Sequence, residues 1–442
     1  MRFKSYLAFL VALLLFCTAC TTTNSGSGSA TTPTAAPKTA ITPTGTTSAG
    51  ADICPAPLNH DQSCFTPHAM RLAYGVEALT AQGFTGKGQT IIDIVSYGSP
   101  TLQHDMDIFD RQFGLPAITI PVVAPLGTVA FDPSNKEMLG WAEETELDVQ
   151  IMHAIAPGAN IVVMTSPVDE TEGTVGLPEF LKLEQYAVAH HLGQIFSQSY
   201  AASEATLADG AGQQLVKTYS DFYKQITTRQ GFTVVSGSGD NGATDYANVA
   251  MTKLSATATV NFPADVPWVT AVGGTTLLQS TAGYSERAWS NSGGGISSFF
   301  SEPAFQQSLP SSIQAKLAGH RGLPDVAGDA NPFTAMINYI NGQWTQIGGT
   351  SASTPLWAAF IAIANQMAGH PLGFLNPALY KLAASNTYAQ DFHDITQGNN
   401  TQMVNGITVP GYAAAQGWDP VTGLGSPNAE KLIPDLIAAM KS

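Results

Sequence analysis

Glu144 and Asp148 stand four residues apart in "WAEETELDVQIMHAIAPGAN", residues 141–160. In a helix that spacing puts both carboxylates on one face. They carry like charge, and no Lys or Arg neighbours them. A helix that only builds structure more often pairs an acid with a base at that spacing. Two close carboxyls tend to share one proton, the usual arrangement for acid–base work. A solvated acidic face is the plainer alternative, and Glu143 and Glu146 favour it. Asp240 adds a third carboxyl. It follows a β-branched run in "VVSGSGDNGATD", residues 234–245, on a glycine-rich bend where backbone can approach a ligand. An ordinary Asx turn would read the same way.

Ser351 supplies a hydroxyl in "IGGTSASTPLWAAFIAIANQ", residues 347–366. Leu356, Trp357, Phe360, Ile361 and Ala364 follow at helical spacing, so Ser351 falls near the start of a buried helix. Free N–H groups and the helix dipole favour negative charge there. A serine so placed can lose its proton to a nearby base while those N–H groups steady an oxyanion. A simple helix cap uses the same residues.

These groups need a frame. "TIIDIVS" (90–96), "NIVVMT" (160–165), "QIFSQSY" (194–200), "FTVVSGS" (232–238) and "WVTAVGG" (268–274) read as buried strands. Helical stretches at 143–156, 177–191 and 212–229 lie between several of them. Leu147, Ile151 and Ile155 make the core stripe of the first, and Pro157 and Gly158 stop it. Buried strands alternating with helices predict an α/β fold, a doubly wound and mostly parallel sheet with helices on both faces. In such sheets ligands bind at the carboxyl ends of the strands.

The 442 residues carry a formal net charge of -15, with only 12% charged and 44% hydrophobic residues. That balance fits a large folded domain and is a poor match for nucleic acid or an anionic membrane face. "MRFKSYLAFLVALLLFCTAC", residues 1–20, has the basic start and short apolar run of a signal peptide. Its end at Cys20 is of lipoprotein type, so the expected membrane link is a lipid anchor on Cys20. Cys17 stands where an aliphatic residue is usual, and plain cleavage with release is the alternative. Residues 21–52 are rich in Thr, Ser, Pro and Gly and read as a disordered tether. Residues 53–442 read as one domain. Cys54 and Cys64 are a candidate disulfide in an oxidising compartment. The chain is therefore expected to be exported, at the cell surface or outside the cell, and monomeric.

Several motifs in order resemble the sedolisin family, the serine-carboxyl peptidases. They span 64–427 and include "CFTPHAMRLAYGV", "TGKGQTI", the Glu144 helix, "SGDNG", "WVTAVGGTTL", "PDVAGDANP", "GGTSASTPLWAA" and "GWDPVTGLGSP". The resemblance implies a subtilisin-like fold and hydrolysis of polypeptides. It makes Ser351 the nucleophile, Glu144 the general base, Asp148 the residue that orients Glu144, and Asp240 part of the oxyanion hole. "SQSYA", 197–201, is similar to the strand that pairs with substrate backbone, with Ala201 where Gly is frequent and Asn241 where Ser is usual after Asp240. The resemblance further implies one structural Ca2+, held by Asp394 and Asp419 side chains and by the carbonyls of Ile395, Ala415 and Gly417. A base that must be ionised beside a carboxyl that must donate predicts activity in acid.

Two other readings remain. An ordinary Ser-His-Asp hydrolase would need an imidazole, and His153 lies more than two turns from Glu144 with no G-x-S-x-G elbow at Ser351. A surface-tethered binding protein of the same fold that has lost activity is the reading outside enzymes. Family members usually carry a large pro-domain, for which 21–52 leaves no room. Their usual self-activation is therefore not implied here.

Overall fold

The run Thr90–Ser96 forms the central strand β1, and six of its seven positions are buried. The computed structural model describes residues 53–54, 62–281 and 283–441. The expected signal segment 1–20, the tether 21–52, Cys17 and Cys20 fall outside the described residues. Cys54 and Cys64 are joined by a disulfide, as expected.

β1 pairs in parallel with β3 (Asn160–Ser166) on one side and β4 (Ile195–Gln198) on the other. Beyond β3 lies the two-residue β2 (Val122–Val123). Beyond β4 come β5 (Thr233–Gly237), β6 (Thr270–Ser280) and β8 (Val326–Asp329), all parallel. The order is β8-β6-β5-β4-β1-β3-β2, with β7 (Gly283–Ala288) antiparallel on β6. The expected mostly parallel α/β sheet is therefore present, with β7 as its antiparallel addition.

Six helices frame the site: α1 (Leu102–Phe113), α2 (Lys136–Ile155), α3 (Leu177–Ala189), α4 (Gly210–Arg229), α5 (Thr350–Ala368) and α6 (Ala429–Met440). Successive strand side chains point to opposite faces. Ile91 and Val95 of β1 join a core with α2 and α5, while Ile92 and Ile94 join a second core with α3 and α4. Both faces are covered, which is why the strands read as unbroken apolar runs.

Helix α2 begins seven residues before the stretch expected from periodicity. The Asn135 side chain accepts from the N–H groups of Glu137 and Met138 and caps it there. Helix α5 is buried on every side from Ala352 to Asn365, as a helix apolar all round must be. Burying each of Leu356, Phe360 and Ile363 contributes roughly 1.5–3 kcal/mol. It packs on α2 and on β4, β5, β6 and β8. That contact brings the start of α5 to the carboxyl ends of the strands.

Candidate active site

Helix α5 starts at Thr350, so Ser351 sits in its first turn. Gly349 precedes it with φ 118°, and a Cβ there would lie 2.5 Å from Asp240 Oδ2. Only glycine lets the helix begin this close to that carboxyl. Pro355 has no N–H to return to the Ser351 carbonyl four residues back. That carbonyl accepts instead from Ser199 Oγ at 3.3 Å, and the same hydroxyl lies 2.9 Å from Asp148 Oδ1. One serine thus ties the nucleophile candidate's backbone to an acid on α2.

Glu144 and Asp148 do share a face of α2, on which Glu144 is half-buried and Asp148 lies inside. Asp148 is fully buried, as is Glu146. The plainer alternative, a solvated acidic face, does not hold at Asp148, which packing against α5, β1 and the segment after β4 covers. Burial raises the Glu144 carboxyl, the neighbouring Ser351 side chain opposes the rise, and the charges of Asp240, Asp93 and Glu143 add to it. Asp148 lies well above the usual carboxylate range, through burial first and then the charges of Asp93 and Glu144. Asp240, three residues beyond β5, accepts from Thr350 N at 2.7 Å and Thr350 Oγ1 at 3.0 Å. Burial raises it as well, against those two hydrogen bonds. A buried carboxyl with a raised pKa keeps its proton, and with it the ability to donate.

The structure therefore brings Ser351, Glu144, Asp148 and Asp240 together from α5, α2 and β5. Sequence reasoning missed Asp93. It lies on β1 between Ile91 and Val95, is fully buried, and faces the Asp148 carboxyl of α2, close enough for each to shift the other. Burial pushes it up to about 7, and Asp148 pulls the other way. Its signal was present: one acid inside the apolar run "TIIDIVS". Ser199 was also missed as a link. The expected strand 194–200 stops at Gln198, so Ser199–Ala201 lie beyond the ladder. Glu146, on the same helix, accepts from the hydroxyls of Ser99 and Thr101, the latter at 2.6 Å. It belongs to the α1 side of the helix. His153 is buried with Nε2 2.8 Å from the Pro116 carbonyl and 3.3 Å from Asp110, facing away from Ser351.

The five calcium candidates come from two segments that meet. Gly417 N donates to Asp394 Oδ1 at 3.0 Å. Asp419 accepts from the N–H groups of Ala415, Val421 and Thr422, which fixes its loop. Tyr388 is raised first by burial and then by the charges of both Asp394 and Asp419, so the two carboxylates lie near one hydroxyl. No Lys or Arg forms an ion pair with either among the described residues. Among those residues no set of three or more His, Cys, Asp or Glu could hold a metal. Two carboxylates supplemented by carbonyls are an all-oxygen donor set that fits a hard cation such as Ca2+.

A family model described as the subtilase family matches residues 126–411. The chain belongs to the subtilase family, among its sedolisins. It is 34% identical over 391 residues to kumamolisin of Bacillus sp. (strain MN-32), covering 85% of this chain and 64% of that protein. It is 29% identical over 394 residues to tripeptidyl-peptidase 1 of Canis lupus familiaris, covering 84% and 64%. A solved structure of Pseudomonas sedolisin, a serine-carboxyl proteinase complexed with two molecules of pseudo-iodotyrostatin, superposes with a TM-score of 0.69 at 27% identity. It covers 84% of this chain and 98% of that one. The chain thus spans just under two thirds of the length of the first two relatives. Among the described residues no helix of this subtilase is long and apolar enough to cross a membrane.

Proposed function

We propose that this subtilase is an acid-active serine-carboxyl peptidase that cleaves polypeptides through an acyl-enzyme on Ser351. The observation that carries this is the convergence of Ser351, in the first turn of α5, with Glu144, the buried Asp148 and Asp240, which accepts from Thr350 beside Ser351. In the microstate where Asp148, Asp93 and Asp240 hold the protons and Glu144 is ionised, Glu144 takes the hydroxyl proton as Ser351 Oγ attacks the scissile carbonyl carbon. The carbonyl π electrons move to oxygen, and protonated Asp240 donates a hydrogen bond to that oxyanion. Glu144 then gives its proton to the leaving amine as the C–N bond breaks. Water, deprotonated by Glu144, attacks the ester and returns Ser351. Asp148 holds a further proton against Asp93 and steadies the charge on Glu144.

Burial without a cation prevents these carboxyls from all being ionised together. Activity therefore falls as rising pH removes the proton that Asp240 must donate. Cleavage of a denatured protein from pH 3 to pH 8, comparing the full chain with Ser351→Ala, tests the reading. Acidic activity that vanishes in the variant supports it, and activity that survives removes Ser351 as nucleophile. A folded wild-type chain with no activity at any pH points to the binding-protein reading instead. Internal fragments are expected, as from an endopeptidase; release of tripeptides alone would favour an action like that named for the tripeptidyl-peptidases.

The reading extends to one structural Ca2+ held by Asp394, Asp419 and the carbonyls of Ile395, Ala415 and Gly417. It also includes export as a monomer with a lipid on Cys20, for which the residues of 1–20 are the support.

A further inference from the structure

Helices α3 and α4 cover the sheet face opposite Ser351, and they bury another carboxyl. Glu184 of α3 is fully buried. Its Oε1 accepts from Gln198 Nε2 at 2.5 Å, Tyr223 Oη at 2.9 Å and Tyr200 Oη at 3.2 Å. Gln198 Nε2 also donates to Tyr223 Oη at 2.7 Å. Filling the space between helix and sheet does not require this. A buried carboxyl costs desolvation that a leucine does not, so four polar groups meeting here ask for a reason.

The reason lies in what Gln198 and Tyr200 bracket. Side chains alternate across the sheet, so Gln198 and Tyr200 face α3 while Ser199 between them faces α2 and α5. The parallel ladder ends at Gln198, and pairing resumes only at Ala202, opposite Phe262. Residues 199–201 therefore have no strand partner to fix them. We infer that Glu184 is a positioning residue: through Gln198 and Tyr200 it clamps the 198–201 segment from behind, and so places the Ser199 hydroxyl between Asp148 and the Ser351 carbonyl. Tyr223 ties the clamp to α4. The kinetic consequence rests on the peptidase reading, because this segment would lie along a bound polypeptide.

Burial pushes the Glu184 carboxyl up to about 8, against the three donors, and Tyr200, Tyr219 and Tyr223 are the titratable groups around it. In acid Glu184 carries a proton, and glutamine is its nearest mimic. The test compares the full chain with Glu184→Leu, Glu184→Gln and Tyr223→Phe at pH 5. It reads amide hydrogen exchange at 199–202 and the kinetics of polypeptide cleavage. In Glu184→Leu, exchange at 199–202 should rise about tenfold or more while that of β5 is unchanged. KM should rise more than kcat falls. Glu184→Gln should stay within about twofold of wild type on both readouts. Tyr223→Phe should shift both in the same direction by less, and it decides the matter if Glu184→Leu does not fold. Unchanged exchange and KM in the folded variants would overturn the inference. So would loosening spread evenly over the sheet, or a glutamine variant as damaged as the leucine one. If the wild-type chain cleaves nothing, the exchange measurements still decide the role of Glu184, and the peptidase reading falls alone.

Discussion

Arg321–Asp325 and Asp93–Asp148 are both fully buried pairs, and they are built on opposite principles. Asp325 meets the Arg321 guanidinium with both oxygens, at 2.8 and 2.5 Å. It also accepts from Tyr380 Oη, Ala271 N and Asn376 Nδ2. Every lone pair is used; burial lowers the Arg321 guanidinium, the Asp325 charge more than restores it, and that cation stays charged. Asp93 has no donor among the described residues except the Asp148 carboxyl. Asp148 adds only Ser199. Among the described residues no cation stands beside either; burial raises both, and the charge of Asp93 raises Asp148 further. One region stores a fixed charge to hold β6 and β8 to the loop between them. The other stores movable protons behind Ser351.

That contrast breaks most sharply at the nucleophile. Ser351→Ala should lower kcat by about 10^4-fold or more with the fold intact, since residues acting as a unit fail together. Circular dichroism and acid-range proteolysis check both halves. At the fixed-charge site the effect should run the other way. Asp325→Ala leaves a buried guanidinium unpaired and should cost about 3–5 kcal/mol of stability. Urea unfolding measures it, and the activity of the remaining folded molecules should be close to normal.

Asp93→Asn sharpens the comparison with a smaller effect. It removes a charge that raises Asp148 and Glu144. Their protons should then leave at lower pH, and because Glu144 must be ionised to act, the acid limb of the kcat/KM profile should move to lower pH. An unmoved limb would detach Asp93 from the set. The same carboxyls make stability depend on pH. Glu144, Asp93 and Glu184 have raised folded pKa values, the last two up to about 7 and about 8. Between the usual carboxylate value near 4 and those values, the folded chain binds more protons than the unfolded one. Stability should therefore decline as pH rises from about 4 to about 8. Urea midpoints at pH 5 and pH 8 test the sign, and a higher midpoint at pH 8 would contradict it. The smallest effect expected is at the Asp394 and Asp419 loops. Chelation should lower the thermal midpoint by a few degrees, on the order of 1 kcal/mol.

Most of this architecture could be read from residues. Strand runs ending in Gly and Ser placed the sheet, and the order of motifs placed Ser351, Glu144, Asp148 and Asp240. Periodicity could not say whether the acidic face of α2 was wet or dry, because the same spacing serves both. That was decided by α5, whose apolar residues on every side force α2 and β1 against it. Asp93 escaped because one acid in an apolar strand gives no partner by spacing. Its partner Asp148 is 55 residues away and meets it only through the sheet. Glu184 escaped for the same reason, lying on a helix whose pattern reads as plain amphipathic. Gly349 and Pro355 were visible as breakers, but their purposes were not. One makes room for Asp240, and the other releases the Ser351 carbonyl to Ser199.

The central claim is that a carboxyl, Glu144, takes the proton of Ser351. The most direct measurement is kcat and KM for a polypeptide substrate at the acid optimum in wild type and in Glu144→Gln. The amide keeps the size and loses the base. The account predicts a fall in kcat of about 10^2–10^4 with KM little changed. A glutamine variant that turns over within a few-fold of wild type would contradict it.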